Sequence, residues 1–126
     1  MTLRSISVVS IPVSDQDRAA EFYTRRLGFT LVADNPMGDR RWVQLTPPGG
    51  GATITLVTWF PSMAPGSVSG LVIECDEVAA TLARLRAEGV TVHQDDVEKA
   101  PWGAFFTFED PDGNGWVAQE STPARA

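Results

Sequence analysis

Two segments of the chain share one order of hydrophobic and polar residues, and each predicts a strand followed by an amphipathic helix. Residues 7–29 (SVVSIPVSDQDRAAEFYTRRLGF) begin with a β-rich run and continue into a stretch with acids early and arginines late, as the helix dipole favours. Residues 69–90 (SGLVIECDEVAATLARLRAEGV) repeat this order. Gly28 and Gly89 are suited to end the two helices. The repetition predicts a duplicated structural unit.

The starts of both predicted helices carry residues that can bond to free backbone N–H groups. Ser14 or Asp15 is a suitable N-cap for the first helix. Asp76 and Glu77 stand at the start of the second helix. Both helices are therefore expected to begin with local capping or dipole interactions.

Three further strands are predicted after each helix, so that the chain reads βαβββ twice. The segments are FTLVAD, RRWVQLT and ATITLVTWF in the first half, and VTVHQ, AFFTFED and GWVAQE in the second. Pro and Gly in TPPGGGA and DPDGNG predict equivalent hairpins. The predicted organisation is one domain, 1–126, with module one at about 5–60, a linker at 61–67, module two at about 68–120 and a tail at 121–126. The predicted class is α+β, with both modules forming a partly open eight-stranded barrel around a cavity and the helices outside.

The composition and charge of the chain limit the kinds of molecule that we expect it to bind. The chain has 126 residues, of which 43% are hydrophobic and 21% charged, and its formal charge is −6. This favours a folded domain and disfavours nucleic acid and anionic membrane surfaces, which need clustered Lys and Arg. The single cysteine, Cys75, excludes an intramolecular disulfide, and no apolar run is long enough to span a bilayer. The start of the chain has no apolar run with a cleavage site, so a cytoplasmic location is expected.

Strand alternation separates the strand residues into a helix-facing set, which includes Trp116, and an opposite set. The opposite set mixes aromatic, aliphatic and small polar residues, as ligand pockets do. With two residues from nearby loops added, the predicted ligand contacts are Val8, Trp42, Gln44, Thr55, Val57, Trp59, Met63, Gly70, Val72, Trp102, Phe105, Thr107, Val117 and Gln119. We therefore expect a concave, mostly apolar cavity.

The tryptophans are the main candidates for stacking against a ligand. Trp42, Trp59 and Trp102 fall at inner-face or loop positions. Two alternatives remain open: Trp59 and Phe60 can form a dimer contact, and Trp102 can belong to a structural lid over the barrel end.

Candidates for acid or base chemistry are few. Glu74 lies at an inner-face strand end and would act as a base if apolar surroundings raised its pKa; the alternative is a solvated carboxylate at the sheet rim. His93, the only histidine, is a candidate acid or base or a surface residue at a strand end. Cys75 follows the helix-facing register, where cysteine behaves as a small hydrophobe.

The chain resembles the vicinal oxygen chelate superfamily, which includes glyoxalase I, extradiol dioxygenases and bleomycin-resistance proteins. The matching segments are IPVSDQDRAAEFYTRRLGF, GLVIECDEVAATLARLRAEGV and FFTFEDPDGNGW, which occur in the same order over nearly the whole chain. The resemblance implies paired βαβββ modules, commonly assembled as a homodimer. It also places the family's metal ligands, His or Gln and Glu, at Val8, Thr55, Gly70 and Val117. None of these offers an imidazole or a carboxylate, and a lone Thr55 hydroxyl is too weak to hold a divalent ion.

The leading functional hypothesis is a metal-free and cofactor-free protein that binds a small molecule, similar to the bleomycin-resistance branch. Its ligand would be flat and largely apolar or cationic, such as an antibiotic. The alternative is a metal-independent enzyme, similar to a lyase or an isomerase, that acts on a natural-product intermediate with Glu74 or His93 as acid or base. Metal-dependent glyoxalase or dioxygenase activity is disfavoured by the residues at the four ligand positions.

Overall fold

The first module forms a four-stranded sheet with one helix. In the computed structural model, which describes residues 2–121, its elements are β1 (Val8–Pro12), α1 (Gln16–Arg25), β2 (Thr30–Met37), β3 (Arg40–Thr46) and β4 (Thr53–Val57). The strand order is β1-β4-β3-β2; β1 pairs with β4 in parallel, and the other pairs are antiparallel. The predicted hairpin at TPPGGGA connects β3 and β4.

The second module repeats this arrangement with one additional strand. Its elements are β5 (Leu71–Glu74), α2 (Val78–Ala87), β6 (Thr91–Val92), β7 (Glu98–Ala100), β8 (Gly103–Glu109) and β9 (Gly115–Ser121). The order is β5-β9-β8-β6, and β7 also pairs with β8. The α+β class and the repeated order are confirmed, and the two sheets do not form a closed barrel. The strand β7 was not predicted, because its Glu-Lys-Ala sequence has no strand-like alternation and it forms by backbone pairing with β8.

The two helices begin in different ways. The Asp15 side chain caps α1 by accepting a hydrogen bond from the backbone N–H of Arg18 at 3.0 Å. At α2 the Glu77 side chain makes no capping bond, and the backbone N–H of Val78 donates to Glu120 Oε1 on β9 at 2.9 Å. The predicted capping is therefore local in α1, whereas in α2 a distant strand supplies it.

Both sheets bury their helix-facing sides in one core. Tyr23 of α1 packs against Trp116 of β9 with ring centres 5.9 Å apart, and Phe29 packs against both residues. The Tyr23 hydroxyl donates to Asp110 Oδ2 at 2.8 Å and accepts from Trp116 Nε1 at 2.9 Å. The two modules are therefore joined through the sides of the sheets that carry the helices.

The turn between β8 and β9 also fastens the second module to the first. Asp110 Oδ1 accepts the backbone N–H groups of Asp112 and Asn114, which holds the turn in shape. The buried Asn114 amide donates to the carbonyl of Pro12 at 2.8 Å, and the Ser14 hydroxyl donates to Asp112 at 2.6 Å. This predicted hairpin therefore has a second role that its sequence did not indicate.

Within residues 2–121, neither helix is long and apolar enough to cross a membrane.

Candidate functional site

The face of the first sheet opposite α1 carries aromatic, polar and aliphatic side chains, which we call wall one: Trp42, Gln44, Thr53, Thr55, Val57 and Trp59. Trp42 Nε1 donates to Gln44 Oε1 at 3.0 Å, and Gln44 Nε2 donates to the Thr53 hydroxyl at 2.9 Å. Thr53 in turn donates to the carbonyl of Ser7 at 3.0 Å. These bonds fix the Gln44 amide and the Trp42 ring in one orientation before a ligand binds.

Two predicted contact residues of wall one are buried in the single chain. Thr55 and Val57 each expose 1% of their surface, and the Thr55 hydroxyl donates to the carbonyl of Val43 at 3.0 Å. Strand alternation placed both residues on this face, but it did not show that they are covered. A ligand would reach Thr55 or Val57 only after neighbouring side chains moved.

Trp59 follows β4 and already interacts with a cation of the same chain. The Arg40 guanidinium lies 5.7 Å from the centre of the Trp59 ring, a cation–π distance. Phe60, which is 43% exposed, lies 6.0 Å from Trp59 between ring centres, and the partly buried Met63 follows in the linker. The rings of this segment thus extend wall one beyond the end of β4.

The corresponding face of the second sheet forms wall two: Val72, Trp102, Phe105, Thr107, Val117 and Gln119. Thr107, Val117 and Val72 lie side by side on β8, β9 and β5, and Phe105 lies beside Gln119. The Trp102 ring lies 5.5 Å from the Phe105 ring at an interplanar angle of 30°. Trp102 is 46% exposed and Val72 is 56% exposed, so wall two is open in the single chain.

Glu74 lies at the edge of wall two as an ionised group. Its carboxylate accepts hydrogen bonds from Gln119 Nε2 at 2.7 Å and from the Ser121 hydroxyl at 2.8 Å. These bonds hold the pKa of Glu74 below its ordinary value. The hypothesis that apolar surroundings raise this pKa is therefore wrong, and Glu74 is the solvated carboxylate that was the alternative.

His93 is the centre of a carboxylate, imidazole and hydroxyl chain on the same side of the second sheet. Its Nε2 lies 2.7 Å from Glu109 Oε2, and its Nδ1 lies 2.6 Å from the Thr107 hydroxyl. Because a carboxylate only accepts, the neutral ring donates from Nε2 to Glu109 and accepts from Thr107 at Nδ1. The Gln94 side chain also bonds to Thr107, accepting its backbone N–H at 2.8 Å. His93 is thus an exposed residue just beyond the end of β6 whose ring is held by two side chains of β8.

The sequence analysis did not identify Glu109 and Gln94 as partners in the hydrogen bonds around His93 and Thr107. Glu109 stands two positions after Thr107 and thus on the same strand face, which was a usable signal. Gln94 had no comparable signal, because it lies beyond the end of β6.

The residues at the family's metal positions do not fit a metal ion. Val8 and Thr55 lie in the first sheet, Val117 lies in the second, and Gly70 immediately precedes β5. Among residues 2–121 no three His, Cys, Asp or Glu side chains are grouped so that they could hold a metal. The side chains of these four positions offer one neutral hydroxyl, which is already bonded to a backbone carbonyl.

The placement of the two walls follows from the common core. Because each sheet packs its helix-facing side into that core, both walls lie on its outside. The arrangement provides two surfaces with aromatic rings, aliphatic groups and oriented amides, which suits the binding of flat molecules.

Comparisons with known proteins identify the family of the chain. The model of the Glyoxalase/Bleomycin resistance protein/Dioxygenase superfamily matches residues 5–118. The structure of TnmS3, an antibiotic binding protein from Streptomyces sp. CB03234, superposes with a TM-score of 0.90 at 41% identity, covering 97% of this chain and 99% of TnmS3. A glyoxalase/bleomycin resistance protein from the same organism gives a TM-score of 0.82 at 43% identity, covering 92% of this chain and 100% of that one. YetH, an uncharacterized protein of Bacillus subtilis (strain 168), is 32% identical over 122 residues, which are 94% of this chain and 99% of YetH. The chain therefore belongs to the glyoxalase/bleomycin resistance protein/dioxygenase superfamily.

Proposed function

We propose that this protein binds a flat, largely apolar or cationic small molecule of the antibiotic type. The observation that carries the proposal is the composition of the two walls, which present aromatic rings beside oriented neutral amides on the outside of the core. The likeness to TnmS3, an antibiotic binding protein, over 97% of the chain supports a ligand of that class.

The cavity is completed by a second copy of the chain. Wall two is open in one protomer, and exposed apolar side chains in it and elsewhere on the chain mark interaction surfaces: Met37, Phe60, Val72 and Trp102 are all at least 41% exposed. In a two-fold homodimer, wall one of one protomer faces wall two of its partner. A flat ligand is then held between rings from both chains.

The aromatic rings and the amide groups of the walls have different roles in binding the ligand. A ring that stacks on Trp59 or Trp102 gains about 0.5 to 2 kcal/mol, and a cationic ligand is also attracted to the ring face. The position of Arg40 over Trp59 is an internal example of such an attraction. Gln44 and Gln119, whose amides are held by neighbouring side chains, orient the polar groups of the ligand.

Fluorescence titration tests this proposal with two flat dyes, cationic proflavine and neutral N-phenyl-1-naphthylamine. Replacing Trp59 or Trp102 by Ala should weaken dye binding by about 1 to 3 kcal/mol, as expected when a stacking residue is lost. The matched control is Leu31→Ala, which removes a 44% exposed apolar side chain outside both walls. The proposal fails if Leu31→Ala weakens binding as much as the tryptophan variants, or if neither dye binds.

One observation favours the alternative, a metal-independent enzyme. The side chains of Glu109, His93 and Thr107 form a hydrogen-bonded group. In this hydrogen-bonded group Glu109 accepts the Nε2–H and Nδ1 accepts the Thr107 hydroxyl, so Thr107 can pass its proton to Nδ1 while its oxygen takes a proton from a bound molecule. Mass spectrometry of the bound molecule distinguishes the two functions. An enzyme releases a chemically altered molecule, and His93→Gln abolishes the change while binding persists. A binding protein returns the molecule unaltered, with or without His93.

A further inference from the structure

A groove of about 720 Å³ lies between the two modules, on the helix-facing side of the sheets and apart from most of both walls. Module one contributes the residues after α1 and the β3–β4 hairpin, and module two contributes β5 and part of α2. It exists because β1 and β5 are both edge strands that have no neighbouring strand on this side in residues 2–121. Two residues of the walls also line the groove: Thr53 of wall one and Val72 of wall two.

The interior of the groove is apolar. It reaches the buried side chains of Phe29, Phe108 and Trp116, and its sides are the partly exposed Leu27 and Ile73. The hairpin side is free of bulk, because a Cβ atom added at Gly49, Gly50 or Gly51 would meet nothing within 4 Å among residues 2–121 except its neighbours along the chain. A concave apolar surface of this size is within the range of small-molecule sites.

The available charge at the rim is negative. Glu74 and Asp76 border the groove on either side of Cys75. Arg84 also borders it, but its guanidinium is bonded to Glu88 at 3.3 Å and to the carbonyl of Arg26 at 3.1 Å. An apolar interior with two carboxylates at one end is complementary to an apolar molecule that ends in an ammonium group.

We propose that this groove is a second binding site, for a small apolar amine that inserts its hydrocarbon part between the modules and places its ammonium group beside Glu74 and Asp76. Burial of the hydrocarbon part supplies most of the affinity, and the carboxylates supply the preference for a cation.

Cys75 provides a reporter inside the groove. It is the only cysteine of the chain, it is partly buried, and its thiol lies 3.1 Å from the Thr81 hydroxyl. A molecule that occupies the groove shields this thiol from an uncharged alkylating reagent such as iodoacetamide. The rate of alkylation, followed by mass spectrometry, therefore measures occupancy independently of tryptophan fluorescence.

The experiment compares phenethylamine with phenethyl alcohol and 3-phenylpropionate on the full-length protein. The amine should protect Cys75 with an affinity about three- to fivefold higher than that of the alcohol, as expected for exposed ion pairs, and the acid should protect least. Asp76→Asn, which leaves the hydrogen bonds of wall two intact, should reduce the advantage of the amine and leave the affinity for the alcohol unchanged. Asp39→Asn, an equal change of charge at an exposed turn that does not line the groove, should have no effect.

Each of the following results would overturn the proposal. If none of the three compounds protects Cys75, the groove is a packing gap. If the alcohol or the acid protects as well as the amine, or Asp39→Asn acts like Asp76→Asn, the carboxylates do not select an amine. If Cys75 of the folded protein does not react at all and reacts only after unfolding, a second copy or a closed groove covers it. If Trp59→Ala or Trp102→Ala abolishes protection, the amine binds at the walls.

Discussion

Tyr23 lies where the two modules meet, and its hydroxyl is bonded to both Asp110 and Trp116 of the second module. Burial raises the pKa of Tyr23 well above its ordinary value, and the adjacent carboxylate of Asp110 raises it further. The phenol therefore stays neutral in the folded protein. A single buried hydroxyl thus connects the packing of the core to the response of the protein to alkaline pH.

Alkaline titration should unfold the protein before Tyr23 ionises in the folded state. In the unfolded chain Tyr23 ionises near its ordinary pKa of 10.0, so its contribution to stability is fully present below about pH 10 and decreases as the pH rises further. Because Tyr23 is the only tyrosine, phenolate absorbance reports on it alone. The absorbance should increase together with the loss of near-ultraviolet circular dichroism. A phenolate that forms near pH 10 in the folded protein would contradict this placement.

The variant Tyr23→Phe is the control for this titration. It leaves Trp116 Nε1 and one Asp110 oxygen without the hydroxyl partner, so at neutral pH its free energy of unfolding should fall by about 1 to 3 kcal/mol. Above about pH 10 the unaltered protein should lose stability through ionisation of the phenol, whereas Tyr23→Phe should not. The difference in stability between the two proteins therefore gives the contribution of the phenol apart from that of other groups that titrate at alkaline pH.

Replacing Trp116 and replacing Trp102 should have different effects on the free energy of unfolding. Trp116→Ala removes a ring that is 5% exposed and packs against Tyr23, Phe29 and Phe108, so it should cost about 3 to 5 kcal/mol of unfolding free energy. Trp102→Ala removes a ring that is 46% exposed and should cost less than about 1 kcal/mol. Urea denaturation measures both. A larger loss for Trp102→Ala than for Trp116→Ala would mean that the buried and the exposed ring are assigned the wrong way round.

The two helices show that the same element can depend on different parts of the chain. Asp15 caps α1 from the adjacent position, whereas α2 receives its side-chain cap from Glu120, a residue of β9. The start of α2 therefore depends on the position of the second sheet.

Glu120→Ala should destabilise the protein by about 1 kcal/mol, because the backbone N–H of Val78 loses its partner. Glu77→Ala, which removes a carboxylate one position before the helix, should have a smaller effect because its side chain makes no capping bond. Thermal unfolding of the two variants and of Asp15→Ala measures the difference. A larger loss for Glu77→Ala than for Glu120→Ala would show that α2 is capped locally after all.

The two modules are joined through one core, and this arrangement leaves both walls on the outside. The cavity that we propose is lined by both walls and needs a second copy of the chain, so we expect a homodimer.

Mixed dimers test whether the two walls meet across the interface. One chain carries Trp42→Ala with Trp59→Ala, and the other carries Trp102→Ala with Phe105→Ala, so neither homodimer has an intact cavity. If wall one meets the partner's wall two, each mixed dimer regains one full-affinity site for proflavine. If both walls of a site belong to one chain, no site is regained. Sedimentation at micromolar concentration should show a dimer for every sample, and a monomer would remove the shared cavity.

Local patterns were sufficient to predict the order of elements. Strand alternation, helix dipole residues and the glycines at positions 28 and 89 act within a few residues, so the βαβββ repeat and the faces of most strands could be predicted from the chain alone. The same alternation predicted that Trp116 faces the core and that Val117 does not. The short strand β7 escaped prediction, since it depends on pairing with β8 rather than on its own pattern.

Only the tertiary structure decided what each face meets. Alternation shows which residues share a side of a sheet, but the packing of the whole chain determines whether that side is covered, as it is at Thr55, or open, as it is at Val72. The contacts of His93 with Glu109 and of Val78 with Glu120 join residues 16 and 42 positions apart, and no local pattern encodes such distances. The groove between the modules arises in the same way, because it is lined by residues of both modules, including the edge strands β1 and β5, which come to the same region only when both sheets pack on a common core.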